Sequence, residues 1–163
     1  MRTLFAIPPD YPPTRFMGSK QGILPAIWDA VKRLPFTTVL DAFSGSGCVS
    51  YMFKSQDKAV IANDFSKFSY HIVNALVANS DETLSNDDVA MLLEPNINRQ
   101  NFIQETFRGI YFTDEDNFFL DNTIANIRQL TSPYKHSLAL SALNRACIKR
   151  RARGVFTYSC GSC

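Results

Sequence analysis

The run "VLDAFSGSG", from Val39 to Gly47, restricts the fold more than any other part of the chain. A β-branched, apolar segment, "FTTVLDAF", leads directly into Gly45-Ser46-Gly47, and helical spacing begins at Ser46. "AVIAND" supplies a second short apolar run. Ser66 to Asn79 then carries Phe68, Ile72, Ala75 and Leu76 on one helical face. Strand, glycine turn, helix, strand, acid and helix in that order predict a right-handed βαβ start, with both strands buried.

The segments around this unit are less regular. The first residues, through Pro8, Pro9, Pro12 and Pro13, read as an extended arm. Ile23, Leu24, Ile27 and Val31 predict a helix over roughly 20–34, ended by Pro35. Residues 81–100 read as a small helical or irregular insert. "TDEDNFFLDNTIANIRQL" reads as a helix with acids at its N-terminus, and "SPYKHSLALSALNRACIKRRARG" as a second, capped by Ser132 with Pro133 in its first turn. Two strands are few for a doubly wound sheet, and Gly154 to Tyr158 reads as the start of another extended segment. The expected fold class is therefore α/β, incomplete at its C-terminus.

Glycine turns of this kind often cradle phosphates, but Asp41 stands at the mouth of this one, where a carboxylate repels a phosphate. S-adenosylmethionine removes the conflict. It has no phosphate, and its sulfonium and ammonium are favoured by a carboxylate at a strand end. Gly45 and Gly47 let backbone approach a ligand closely, although a purely structural turn would also use them. Asp64 lies about 20 residues beyond, where an acid accepts hydrogen bonds from a ribose diol; the alternative is a cap for the next helix. In "RFMGSK", Arg15 to Lys20, Phe16 suits the adenine or methionine portion of the ligand and Lys20 its carboxylate. A plain helix start with a solvated lysine is the competing reading.

Bulk properties exclude other classes. The chain has 163 residues, enough for one domain with a core, and a net charge of +2 that does not by itself mark a nucleic-acid binder. No apolar run approaches the roughly 20 residues of a membrane span, and the proline-broken start is not a signal peptide, so no membrane partner and a cytoplasmic location are expected. Cys48, Cys147, Cys160 and Cys163 do not make a disulfide framework, and the terminal "CGSC" reads as a frayed tail rather than a redox or zinc site. His71 and His136 have no metal-ligand company.

In this order the motifs resemble the Dam-type, class-alpha group of adenine-specific DNA methyltransferases, a family found in restriction–modification systems. "RFMGSK" is similar to that family's motif X, "DAFSGSG" to motif I, and "AND" with the following helix to motif II. "NRACIKRRARGVFTY" resembles a later segment more loosely. The resemblance implies a Rossmann-like S-adenosylmethionine-dependent methyltransferase fold, in one domain with a cofactor-binding part over about 15–80 and a helical, DNA-contacting part over about 81–163. It implies cofactor contacts at Phe16, Gly18, Lys20, Asp41, Phe43, Gly45, Gly47 and Asp64. It also implies methyl transfer to the exocyclic amine of an adenine flipped from double-stranded DNA.

The Asp/Asn-Pro-Pro-Tyr/Phe motif that holds this amine in the family does not occur in the sequence, so no catalytic residue is assigned. Ser132-Pro133-Tyr134 is its nearest match and reads better as a helix start. The expectation is the N-terminal portion of such an enzyme with a foreign "SCGSC" tail, inactive alone, or one subunit of a split enzyme that works with a complementary chain bearing the motif. A non-catalytic cofactor- or DNA-binding module is the alternative. Arg145, Lys149, Arg150, Arg151 and Arg153, beside Tyr158, read as a DNA-backbone contact, or else as a cationic helix end satisfying its own dipole.

Overall fold

The β-branched runs form the two strands of a parallel pair, β1 (Thr38–Asp41) and β2 (Ala59–Ala62), with Val39 opposite Val60 and Leu40 opposite Ile61. They belong to a computed structural model that describes Tyr11, Pro12, Thr14 and residues 16–150. Arg15, Arg151, Arg153, Tyr158, most of the proline-rich arm and the "CGSC" tail lie outside the described residues. The chain divides into two compact units, one up to Asp81 and one from Glu82.

In the first unit, a 3-10 turn at Gln21–Ile23 opens α1 (Leu24–Val31). The helix is shorter than the span expected from its apolar spacing, because the chain leaves helical geometry ahead of Pro35, whose ring disfavours it in the preceding residue. The crossover between the strands is α2 (Cys48–Lys54), which buries Cys48, Ser50, Met52 and Phe53. Trp28 and Phe36 meet the Phe53 ring edge-on at 6.3 and 6.0 Å, and Val39, Val60 and Leu76 complete this core.

One face of the strand pair is not buried, contrary to the sequence pattern. Leu40 is 64 % and Ile61 58 % exposed, and Thr38 and Ala59 beside them are exposed as well. The apolar core in which α1 and α2 take part includes Val39 and Val60, on the other face, and nothing among the described residues covers Leu40 and Ile61. The helix after β2 also differs from expectation. It is α-helical as α3 (Lys67–Val73) and then widens into a π-helical turn at Asn74–Ala78, where Asn79 N–H reaches the Asn74 carbonyl at 3.1 Å. Lys54 Nζ crosses to the end of that turn, donating to the Val77 and Asn79 carbonyls at 2.5 and 2.7 Å. A cation there suits the negative end of a helix, and burial lowers the pKa of this ammonium.

The second unit holds α4 (Asn86–Leu93), α5 (Phe102–Thr106), α6 (Asp114–Ile127) and α7 (Pro133–Arg150). Ser85 with Asp88, and Thr113 with Asp116, form reciprocal capping boxes that start α4 and α6. Ser132 Oγ accepts from the N–H groups of Tyr134 and Lys135 at 3.2 and 3.3 Å, so Ser-Pro-Tyr is the opening of α7. Leu92, Ile127 and Ala139 form a small core. Much of the buried surface of α6 is polar instead, through Asn117, Asp121, Asn122, Thr123 and Asn126. Among the described residues no helix is long and apolar enough to cross a membrane. Cys48 and Cys147 are free thiols.

Candidate cofactor site

Where β1 ends, the pairing with β2 carries on into the glycine turn. Asn63 N–H donates to the Asp41 carbonyl at 2.8 Å and Ser44 N–H to the Asn63 carbonyl at 2.9 Å. Gly47 N–H closes the turn on the Ser44 carbonyl at 2.7 Å, and Gly47 then caps α2 in a left-handed conformation at φ +76°. A side chain at Gly47 would meet Tyr11 Oη and Val73 Cγ2, both at 3.1 Å. One at Gly45, whose φ is +50°, would meet the Phe16 ring at 3.2 Å. Both glycines are therefore required by packing within the chain itself, a demand the sequence pattern alone did not reveal.

The "RFMGSK" segment docks on this turn. Gly18 bends it at φ +78°, Ser19 Oγ lies 3.2 Å from Ser46 Oγ, and the Tyr11 hydroxyl donates to the Ser46 carbonyl. Burial raises the pKa of that tyrosine, so it stays a neutral donor. The Phe16 ring stacks on Phe68 of α3, 6.1 Å between centroids and 14° from parallel.

The two acids are held differently. Asp41 Oδ2 accepts from Ser50 Oγ, one turn inside α2, at 2.6 Å. Asp64 accepts the Gly45 N–H at 2.8 Å on Oδ2 and the Ser66 N–H at 2.9 Å on Oδ1. The Ser66 and Gly45 amides hold its carboxyl below the usual value. Each carboxylate oxygen has a further lone pair, so neither acid is exhausted by these bonds.

A cavity of about 460 Å³ lies between these parts. Phe16, Gly18, Lys20 and Asp41 line it together with Phe43, Gly45 and Asp64. Gly47 does not line it and acts from behind, as the cap of α2. The volume suits a small organic ligand. Two carboxylates, an aromatic ring and one exposed lysine around a glycine turn fit a ligand with cationic, diol and aromatic parts, and they suit a polyphosphate poorly. Sequence reasoning missed Ser50, which orients Asp41, and Phe65, whose ring next to Asp64 is fully exposed. A serine nine residues past a strand-end acid, facing back along a helix, is the signal that could have found the first.

In the second unit, Arg145 is half-buried on α7, while Lys149 and Arg150 are exposed in its last turn. Arg150 meets Asp116 at 3.6 Å, an exposed pair of small energetic consequence.

Comparison with known proteins adds the following. Residues 16–155 match the family model described as D12 class N6 adenine-specific DNA methyltransferase. The chain is 33% identical over 153 residues to the Type II methyltransferase M2.HphI of Haemophilus parahaemolyticus, an alignment that covers 93% of this chain and 44% of that protein. The chain thus spans less than half the length of this curated relative. No solved structure matches it.

Proposed function

The chain belongs to the D12 class N6 adenine-specific DNA methyltransferase family, and on that premise we propose that it serves methyl transfer from S-adenosylmethionine to the exocyclic amine of adenine in double-stranded DNA. The observation that carries this reading is the placement of Asp41 and Asp64 on either side of one glycine turn, facing one cavity with Phe16. S-adenosylmethionine supplies the methyl group. Asp41 favours its cationic end and Asp64 accepts from its ribose diol. Phe16 and Phe43 offer apolar ring surface to the base, and Lys20 offers a cation to the carboxylate. The βαβ start supports a Rossmann-like fold for the first unit. The second unit meets DNA through Arg145, Lys149 and Arg150, with the family resemblance extending this to Arg151 and Arg153.

No Asp/Asn-Pro-Pro-Tyr/Phe motif occurs in the sequence, and this favours a second component. In this reading a complementary polypeptide brings the motif and covers the open Leu40–Ile61 face, since parallel strands are stable with both faces covered. A module that only binds cofactor or DNA is the second reading, favoured by the same missing motif. The experiment is titration of the chain with S-adenosylmethionine, then transfer of tritium from labelled cofactor to unmethylated DNA, with and without a polypeptide carrying the motif. Saturable binding and transfer only in the mixture are expected. Binding with no transfer in the mixture selects the module, and no binding by the folded chain rejects the cofactor site.

A further inference from the structure

Residues 94–101 connect α4 to α5, and α6 fixes the path of this connection with side chains. Asn122 accepts the Asn96 N–H on Oδ1 at 2.7 Å and donates from Nδ2 to the Glu94 carbonyl at 2.8 Å. One turn on, Asn126 accepts from Asn96 Nδ2 at 2.7 Å and donates to the same Glu94 carbonyl at 2.8 Å. Asp121 closes the far end. Its two oxygens accept the Ile103 and Gln104 N–H groups, each at 2.9 Å, and so cap α5 from a neighbouring helix.

Buried amides and carboxylates stabilise little beyond what apolar side chains would provide, because they must first lose water. What they supply is one fixed backbone path. The segment held this way presents Ile97, 93 % exposed, and Arg99. The Arg99 guanidinium lies flat over the Phe118 ring of α6, 4.0 Å from its centroid. Its Nε is buried without a hydrogen-bond partner, and among the described residues no ion pair or side-chain hydrogen bond holds its terminal nitrogens. Stacking fixes the plane of the guanidinium and leaves its fork of donors for a ligand in that plane. A phosphate contact asks for charge and tolerates a mobile side chain, and it has no use for an exposed isoleucine two residues away. A base edge asks for a fixed planar fork with apolar surface beside it.

We propose that Arg99 reads one guanine of the DNA site, donating two parallel hydrogen bonds to O6 and N7 in the major groove, with Ile97 against the neighbouring base edges. This rests on the DNA-methyltransferase reading above.

The test is selection of bound duplexes from a randomised pool by the full chain, for wild type, Arg99→Ala, Arg99→Lys and Phe118→Leu, with salt titrations on the selected duplex. Circular dichroism and urea midpoints verify folding. Wild type is expected to select a site containing a G·C pair whose replacement weakens binding tenfold or more. Both Arg99 variants should lose discrimination at that pair alone, Arg99→Lys while keeping the salt dependence of wild type, and Phe118→Leu should relax it in part. Discrimination retained by Arg99→Lys, or uniform weakening by Arg99→Ala with a salt slope reduced by about one, would mean a phosphate contact and overturn the proposal. Wild-type binding without any sequence preference overturns it and leaves DNA binding standing. Absence of DNA binding removes both.

Discussion

Asp64 fastens Gly45: the carboxylate that ends the second strand segment accepts the backbone N–H of the glycine turn at 2.8 Å while its other oxygen holds Ser66. One side chain thus sets the turn and starts α3, and it faces the cavity as well. Asp64→Asn keeps the shape but removes the charge from both bonds. Its expected effects are a loss of about 1 kcal/mol of stability by urea denaturation and a tenfold or greater weakening of S-adenosylmethionine binding by calorimetry. Because its carboxyl titrates below the usual value, the stabilising contribution is present at neutral pH and disappears as pH falls through that lowered value. A variant equal to wild type in both measurements rejects this role.

The two left-handed glycines of the site differ in their surroundings. Gly47 has φ +76° and no room for a methyl group, whereas Gly18 has φ +78° and open space around it. Gly47→Ala should therefore cost about 2–4 kcal/mol, strain and overpacking together, and Gly18→Ala about 1–2 kcal/mol from backbone strain alone. Urea midpoints of the two variants compare them directly; equal losses would show that the Tyr11–Val73 contact yields freely.

Acid should loosen the second unit at α4. The hydrogen bond from Lys135, at 2.7 Å, and then those from Ser85 hold the Asp88 carboxyl down to about 2, against 3.8 ordinarily. A carboxyl depressed in the folded state contributes stability above pH 3.8 and loses it as pH falls toward about 2. Amide exchange of α4 should accelerate across that window, and Lys135→Met should move the acceleration to higher pH. An unchanged profile in Lys135→Met would assign the depression to the capping box alone.

The open strand face predicts a separation of functions. Leu40→Ser with Ile61→Ser removes apolar surface that already faces water, so stability of the chain alone should change by no more than about 0.5 kcal/mol. Cofactor binding should persist. Methyl transfer on addition of a polypeptide bearing the missing motif should fall at least tenfold. Full transfer by the double variant would show that the second component docks elsewhere.

The βαβ start was legible because both of its signals are local. Two-residue alternation and β-branching mark the strands, and glycines mark the turn. The caps at Ser85, Thr113 and Ser132 are local too, although only Ser132 was read as one. The uncovered Leu40–Ile61 face was not legible, since burial of a strand depends on layers from elsewhere in the protein. Ser50, which holds Asp41, and the π turn held by Lys54 depend on side chains meeting across 9 and more than 20 residues. Asn117, Asp121, Asn122 and Asn126 did leave a trace. Four helix-averse residues on one stripe of a helix interior ask what they bond to, and the answer lies up to 32 residues away.

The clamp on residues 94–101 separates a mount from what is mounted. Asn122 and Asn126 of α6 grip Glu94 and Asn96, while Ile97 and Arg99 contribute no side-chain hydrogen bond to the grip. Exchange of those two side chains leaves every bond of the clamp intact. The tip can therefore vary at little cost to folding, and a lineage of such chains can change what it reads by rewriting two positions while α6 stays as it is.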